Sequence, residues 1–153
     1  KTVRELVNAK NTDPLRGDGS RSPLKKIALG DIELLQLKEQ GLTPDSVPAS
    51  SQIVQLRANS NISTGGDSID MTDQMHDSYK QLAVGIAHAM GAKVCGVDLI
   101  IPDLTKPAES SLSSWGVIEA NFNPMMMMHI FPYQGKSRRL TKNVIKMLFP
   151  EVI

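Results

Sequence analysis

Val94-Cys-Gly-Val-Asp98-Leu-Ile-Ile101 and Trp115-Gly-Val-Ile-Glu119-Ala-Asn121-Phe-Asn123-Pro124 decide how this chain is read, because both are short, apolar and interrupted by oxygen-bearing side chains at strand parity. Side chains alternate across a strand with period two, so Cys95, Val97, Leu99 and Ile101 share one face while Asp98 lies on the other beside Gly96. The same count separates Ile118, Ala120 and Phe122 from Glu119, Asn121 and Asn123. Each strand is expected to bury one face and to offer carboxylate or amide oxygens on the other. The segment between them, Pro102 to Ser114, is polar and turn-rich, which predicts an antiparallel hairpin that gathers these groups on one surface.

Unpaired charge on a covered face is costly, and a hard cation removes the cost. Mg2+ takes oxygen ligands in an octahedron and commonly uses one or two carboxylates together with the phosphates of its substrate. Asp98, Glu119 and Asn121 suit that role. The plain alternative is that they are the outward polar residues of a half-exposed antiparallel sheet.

A length of 153 residues fits one ordinary globular domain. The formal net charge of +1 excludes a strong general field for nucleic acid or acidic membranes, so partners must be recognised locally. The one cysteine, Cys95, cannot form an internal disulfide and reads as a small buried hydrophobe, which fits a reducing cytoplasm. No run approaches the roughly 20 apolar residues of a membrane span, and the amino end has no signal-peptide pattern. The chain opens at Lys1 within a helical pattern and without Met, which suggests a fragment of something longer.

Along the chain, residues 2 to 9 read as a helix, and Asn11 to Ser20 as an exposed, turn-rich loop in which Arg16-Gly17-Asp18 is incidental. Ser22-Pro23 predicts a cap and first turn for a helix over 23 to 29, and Gly30 and Gly41 bracket another. Ile53 to Ala58 alternates as a strand, with Val54, Leu56 and Ala58 on the core side and Arg57 on the other. Gly65 and Gly66, in the small-residue loop from Asn59 to Asp67, can take positive φ and let backbone approach a ligand, although a simple turn is the commoner meaning. Thr72 is expected to cap a helix whose stripe Met75, Tyr79, Leu82, Ala83, Ile86, Ala87 and Met90 covers the sheet until Gly91. His76, His88 and His129 are too scattered to chelate and read as solvent-facing. Met125 to Met128 reads as packing or interface material, and Arg138, Arg139 and Lys142 as solvated charge at the start of a last helix that buries Leu140, Val144, Ile145, Leu148 and Phe149. The fold class is α+β, an antiparallel sheet from strands near 52–58, 93–101 and 115–122 with helices packed on one face.

Three motifs in order, Leu56-Arg-Ala-Asn-Ser-Asn-Ile-Ser-Thr-Gly-Gly-Asp-Ser-Ile-Asp-Met-Thr72, then GVDLIIPD, then IEANFNP, resemble the carboxyl-terminal lobe of an ATP-grasp ligase. More closely, the chain resembles the glutathione synthetase module of bacterial bifunctional enzymes that also carry a glutamate–cysteine ligase, a match strengthened by Asn11-Thr-Asp-Pro-Leu-Arg-Gly17 and by Asn121 through His129. The resemblance implies that Asp98, Glu119 and Asn121 hold Mg2+ or Mn2+ on the phosphates of ATP. It implies that Arg57 faces the phosphates or a developing acyl phosphate as the catalytic cation, and that Asn59, Asn61, Ser63, Thr64, Gly65 and Gly66 form a loop closing on substrate and transferred phosphoryl. The implied reaction joins γ-glutamylcysteine to glycine in the cytoplasm.

On that resemblance, residues 1–153 form a single domain of a larger ligase, with 1–50 a helical lead-in and 51–153 the metal- and substrate-binding lobe. The rest of the parent polypeptide is implied as a partner, with a homodimer as one form of assembly, and the isolated chain is expected to be inactive. The pattern departs from many ATP-grasp ligases in placing Pro124 and then Met125 after Glu119-Ala-Asn121-Phe-Asn123. Cyanophycin synthetase shares Asn61-Ile-Ser-Thr-Gly-Gly-Asp-x-x-Asp70-x-Thr72, so a related amino-acid ligase is one alternative. A non-catalytic interaction module built on the Met run and last helix is the other.

Overall fold

The computed structural model describes residues 1–108 and 115–151. Two compact units are formed, Lys1–Ile69 with Phe131–Gln134, and Asp70–Ile130 with Gly135–Ile153. Their elements make an α+β chain. The helices are α1 (Val3–Asn11), α2 (Asp31–Glu39), α3 (Asp77–Ala89), α4 (Met127–Ile130) and α5 (Leu140–Leu148), and the strands are β1 (Gly96–Ile100) and β2 (Gly116–Asn121).

In the first unit, α1 begins with a capping box: Thr2 Oγ1 accepts from Glu5 N at 3.2 Å, and Glu5 Oε2 accepts from Thr2 N at 2.8 Å. Val3 and Val7 on one side of α1 and Leu37 of α2 form the buried centre, with Ile27, Leu29, Leu42, Val54 and Leu56 packed around it. Leu37 is 1% exposed, so Leu37→Ala is expected to cost about 2–5 kcal/mol, read as a lower urea midpoint.

The helix expected over 23 to 29 is absent, because that segment spends its backbone groups elsewhere. Leu24 pairs with Arg16 in an isolated parallel bridge, and the Asn11 side chain brackets Ile27, accepting from its amide at 2.8 Å and donating to its carbonyl at 2.9 Å. The strand expected near 52–58 is also absent. Val54 and Leu56 do face the core and Ile53 is 91% exposed, as the alternation required. The segment is paired not with another strand but with a side-chain amide: Gln40 Nε2 donates to Gln55 O at 2.6 Å and Gln40 Oε1 accepts from Gln55 N at 3.0 Å.

In the second unit, Thr72 does not cap α3. Its hydroxyl and amide both turn back to Asp70 Oδ1, at 2.6 and 3.3 Å, and residues 71–75 close a separate turn. His76 is the cap instead, its Nδ1 accepting from Ser78 N at 3.2 Å. The expected stripe is the covered face of α3: Tyr79 is buried, and Leu82, Ala83, Ile86, Ala87 and Met90 are half-buried. Tyr79 meets Trp115 edge to face, with ring centroids 6.3 Å apart. Leu140 and Val144 of α5 are half-buried, whereas Ile145, Leu148 and Phe149, expected inside, are exposed. The Met run becomes the turn into α4, with Met126 to Met128 half-buried and Met125 exposed.

β1 and β2 pair antiparallel. The hairpin connection lies partly outside the described residues. A register shift after Asp98 leaves Ile118 as an extra residue on β2, and this bulge breaks the expected alternation: Ile118 and Phe122 are exposed, while Ala120 is half-buried. No helix among the described residues is long and apolar enough to cross a membrane.

Candidate functional site

The strand register settles which oxygens meet. Asp98 stands directly opposite Glu119, and Gly96 directly opposite Asn121. All three candidate ligands therefore occupy two rungs of one two-stranded ladder, separated by the Val97–Ala120 pair. Like charges facing across an antiparallel pair are unfavourable unless something neutralises them. Neither carboxylate forms an ion pair among the described residues; the nearest polar contact is Asn121 Nδ2 donating to Glu119 Oε1 at 3.4 Å. Asn121 Oδ1 is buried and accepts no hydrogen bond there.

Gly96 makes this arrangement fit. A Cβ at that position would stand 2.9 Å from Asn121 Nδ2 and 3.0 Å from Pro124 Cβ, so glycine leaves the space in which the amide lies. Two exposed carboxylates beside an orphaned amide oxygen are a donor set for a hard cation that keeps part of its coordination for water or phosphate oxygens. Among the described residues no group of three or more His, Cys, Asp and Glu side chains could hold a metal, so this two-carboxylate and amide set carries the metal reading.

Arg57 and the glycine loop form a second constellation, in the first unit. They line a cavity of about 230 Å³ to which Arg57, Asn59, Thr64, Gly65 and Gly66 contribute. Asn61 and Ser63 are exposed and do not line it, but Asn61 shapes the loop: its carbonyl accepts from Thr64 N at 3.1 Å and Gly66 N at 3.0 Å. Residues Ile62–Thr64 form a 3₁₀ turn that ends at Gly65 with φ 99°. Gly66 does not need positive φ. It is required by proximity, since a Cβ there would lie 2.2 Å from the Ser60 carbonyl oxygen.

Two residues of this constellation were not singled out by sequence. Glu33, in the first turn of α2, is 2% exposed, accepts from Gly30 N at 3.1 Å through Oε2, and pairs through Oε1 with Arg57 Nε. Its Gly-x-x-Glu spacing signals a helix start but gives no sign of burial. Arg16, expected in an exposed loop, has a fully buried side chain. Its guanidinium donates to Lys25 O at 2.7 Å and Gly65 O at 3.0 Å, pairs with Asp67, and leaves Nε buried without a partner. Lys10 joins Asp67 from the other side and lies 4.9 Å from the Tyr133 ring centroid.

Arg138 is likewise not solvated charge. It grips the almost fully buried Asp70 carboxylate through Nε and Nη2, at 3.0 and 2.6 Å to Oδ2, and reaches Asp73 at 2.9 Å. Arg138, helped by Thr72, holds the Asp70 carboxyl far below its ordinary value of 3.8, and Lys136 with Arg138 lowers that of Asp73. A depressed carboxyl stabilises the fold fully above its unfolded value and loses that contribution as pH falls through the folded one. Asp70→Asn is therefore expected to melt below wild type at neutral pH, with the gap narrowing as pH falls below about 4. A series of thermal melts across that range checks it.

His76, His88 and His129 are all exposed, as expected. Cys95 is a free, half-buried thiol whose Sγ donates to Gly96 O at 3.2 Å.

Architecture and side chains together define an α+β chain that presents paired carboxylates on a strand ladder and an arginine-lined glycine turn. No protein-family profile matches it. The chain is 83% identical over 152 residues to the glutathione biosynthesis bifunctional protein GshAB of Mannheimia succiniciproducens and 82% identical over 151 residues to that of Pasteurella multocida, in each case over 99% of this chain and 20% of the relative. The Enterococcus faecalis protein of the same description is 60% identical over 152 residues. The crystal structure of a bifunctional glutathione synthetase from Pasteurella multocida superposes with a TM-score of 0.86 at 81% identity, covering 99% of this chain and 21% of that one. The resemblance carried by the motifs is thereby shown: the chain corresponds, in sequence and fold, to one segment of the bifunctional glutathione biosynthesis proteins. It spans about one fifth of their length.

Proposed function

We propose that this chain is the metal- and phosphoryl-binding lobe of an ATP-dependent carboxylate–amine ligase that makes glutathione from γ-glutamylcysteine and glycine. The observation that carries the reading is the ladder on which Asp98 faces Glu119 beside the orphaned Asn121 oxygen, within a chain 83% identical to a glutathione biosynthesis protein. The substrate carboxylate attacks the γ-phosphorus of ATP and ADP leaves, giving an acyl phosphate. The glycine amine then attacks the acyl carbon, losing a proton, and inorganic phosphate departs.

Phosphoryl transfer asks a protein mainly for positioning and for positive charge against developing negative charge. Asp98, Glu119 and Asn121 would hold Mg2+ or Mn2+, which when bound would supply positive charge against the phosphates of the nucleotide. Arg57 supplies a fixed cation in the lining of the cavity, and the Gly65–Gly66 turn brings backbone close to whatever occupies it. No side-chain nucleophile is needed.

The test is phosphate release by the full-length polypeptide with ATP, γ-glutamylcysteine and glycine, beside a panel of other acids and amines. Release that depends on this pair supports glutathione synthesis. Release only with an acidic peptide and a basic amino acid overturns it in favour of a cyanophycin-type ligase. The absence of release with any pair leaves the interaction module as the reading.

A further inference from the structure

We infer that Glu33 is a positioning residue for this reaction, acting through Arg57; the inference rests on the ligase reading and deepens it. The burial of Glu33 is anomalous for its place in the helix. An acid at the third position of a helix ordinarily reaches back to the cap amide from solvent, and Glu33 does make that bond to Gly30. It is nevertheless 2% exposed, and a carboxylate so enclosed is costly unless its charge is matched. The match is Arg57, whose side chain is 24% exposed. A glutamine would satisfy the Gly30 amide equally well without charge, so helix capping alone does not account for a buried carboxylate.

The geometry of the pair shows what it accomplishes. Glu33 takes the inner nitrogen of the guanidinium, Nε, and leaves the outer fork open. Neither Nη atom makes a hydrogen bond to a described residue, and neither is a buried orphan. Arg57 and Glu33 both line the cavity with Asn59, Thr64, Gly65 and Gly66. An arginine held at Nε with both Nη groups free is set to receive a ligand oxyanion with two acceptor oxygens, a phosphoryl group or a carboxylate, with less rotamer freedom left to lose on binding. Glu33 itself needs no contact with the ligand. Its two bonds connect the first turn of α2 to Arg57, so that a rigid element, rather than the extended segment carrying the arginine, sets the direction of the fork.

The test is a double-mutant cycle in the full-length polypeptide, with kcat, KM for ATP, KM for γ-glutamylcysteine and Tm measured on Glu33→Gln, Arg57→Ala and the double variant. Misaiming a positioned cation is expected to lower kcat by about 10–100-fold in Glu33→Gln, with both KM values within about threefold of wild type. In the Arg57→Ala background the same substitution is expected to add less than about twofold, because the group it aims is gone. Glu33→Asp, which keeps the charge and shortens the reach, is expected to fold even if Glu33→Gln does not and to show the same fall in kcat. Equal losses from Glu33→Gln in both backgrounds, or wild-type kcat in a folded Glu33→Gln or Glu33→Asp protein, overturn the inference while leaving the ligase reading intact. Absence of turnover by the wild-type polypeptide overturns both.

Discussion

Glu119→Gln in the full-length polypeptide is expected to lower ATP-dependent phosphate release by at least about 100-fold, the scale on which loss of one preorganised charge-stabilising group acts. Its thermal stability is expected to move the other way. Glu119 faces Asp98 across the ladder, so the substitution removes one of two like charges from directly opposed positions. In the absence of divalent cation the variant should melt at or slightly above the wild-type temperature, and added Mg2+ with nucleotide should raise its Tm less than that of wild type. A catalytic loss paired with an unharmed fold is the signature of a ligand rather than of a strut. Wild-type turnover in the variant would remove Glu119 from the metal set, and a collapse in Tm would make it structural.

The second large effect is expected at Gly66. A methyl group there would sit 2.2 Å from the Ser60 carbonyl oxygen and 2.9 Å from that of Asn61, both of them backbone atoms that no rotamer change can move aside. The loop must open, which breaks the Gly66 N to Asn61 O bond and carries Asn59 and Thr64 away from Arg57. Gly66→Ala is therefore expected to cost on the order of 100-fold in kcat/KM, with a modest fall in Tm because the buried centre at Val3, Val7 and Leu37 is elsewhere. Gly85→Ala, a position within α3 where an added Cβ meets nothing within 4 Å, is the control and should leave kcat/KM unchanged with Tm equal to or slightly above wild type. Activity near wild type in Gly66→Ala would show that the turn does not form part of the site.

What the sequence made legible follows the range of the interactions involved. The rungs that carry Asp98, Glu119 and Asn121 could be read because strand parity is a local property, and the short polar link between the strands left one simple pairing. The bulge at Ile118 could not, since it depends on which residue slips in the ladder, and it is what turned Ile118 outward against expectation. Ile53 to Ala58 showed the right alternation and the wrong element, because Gln40 supplies from a side chain the pairing that a strand would have supplied. Thr72 looked like a helix cap because nothing in its neighbourhood reveals that Asp70, gripped by Arg138, claims its hydroxyl first. Glu33 and Arg16 were missed for the same reason: each looks like ordinary surface charge until a partner 24 or 51 residues away closes over it.

The Arg16 staple has a consequence for how the molecule can be assembled or taken apart. Its guanidinium reaches 9 residues to Lys25, 49 to Gly65 and 51 to Asp67, so one side chain with five donors in a fixed plane joins its own loop to two other stretches, the Lys25 segment and the Gly65–Asp67 turn. The glycine turn is thus held in part by a side chain of the amino-terminal loop. Contacts of such long sequence separation form late, because their loop-closure entropy must be met before they contribute. A polypeptide cut between residues 50 and 51 would keep every residue of the Asn59–Gly66 loop and still lack the part that holds it in place.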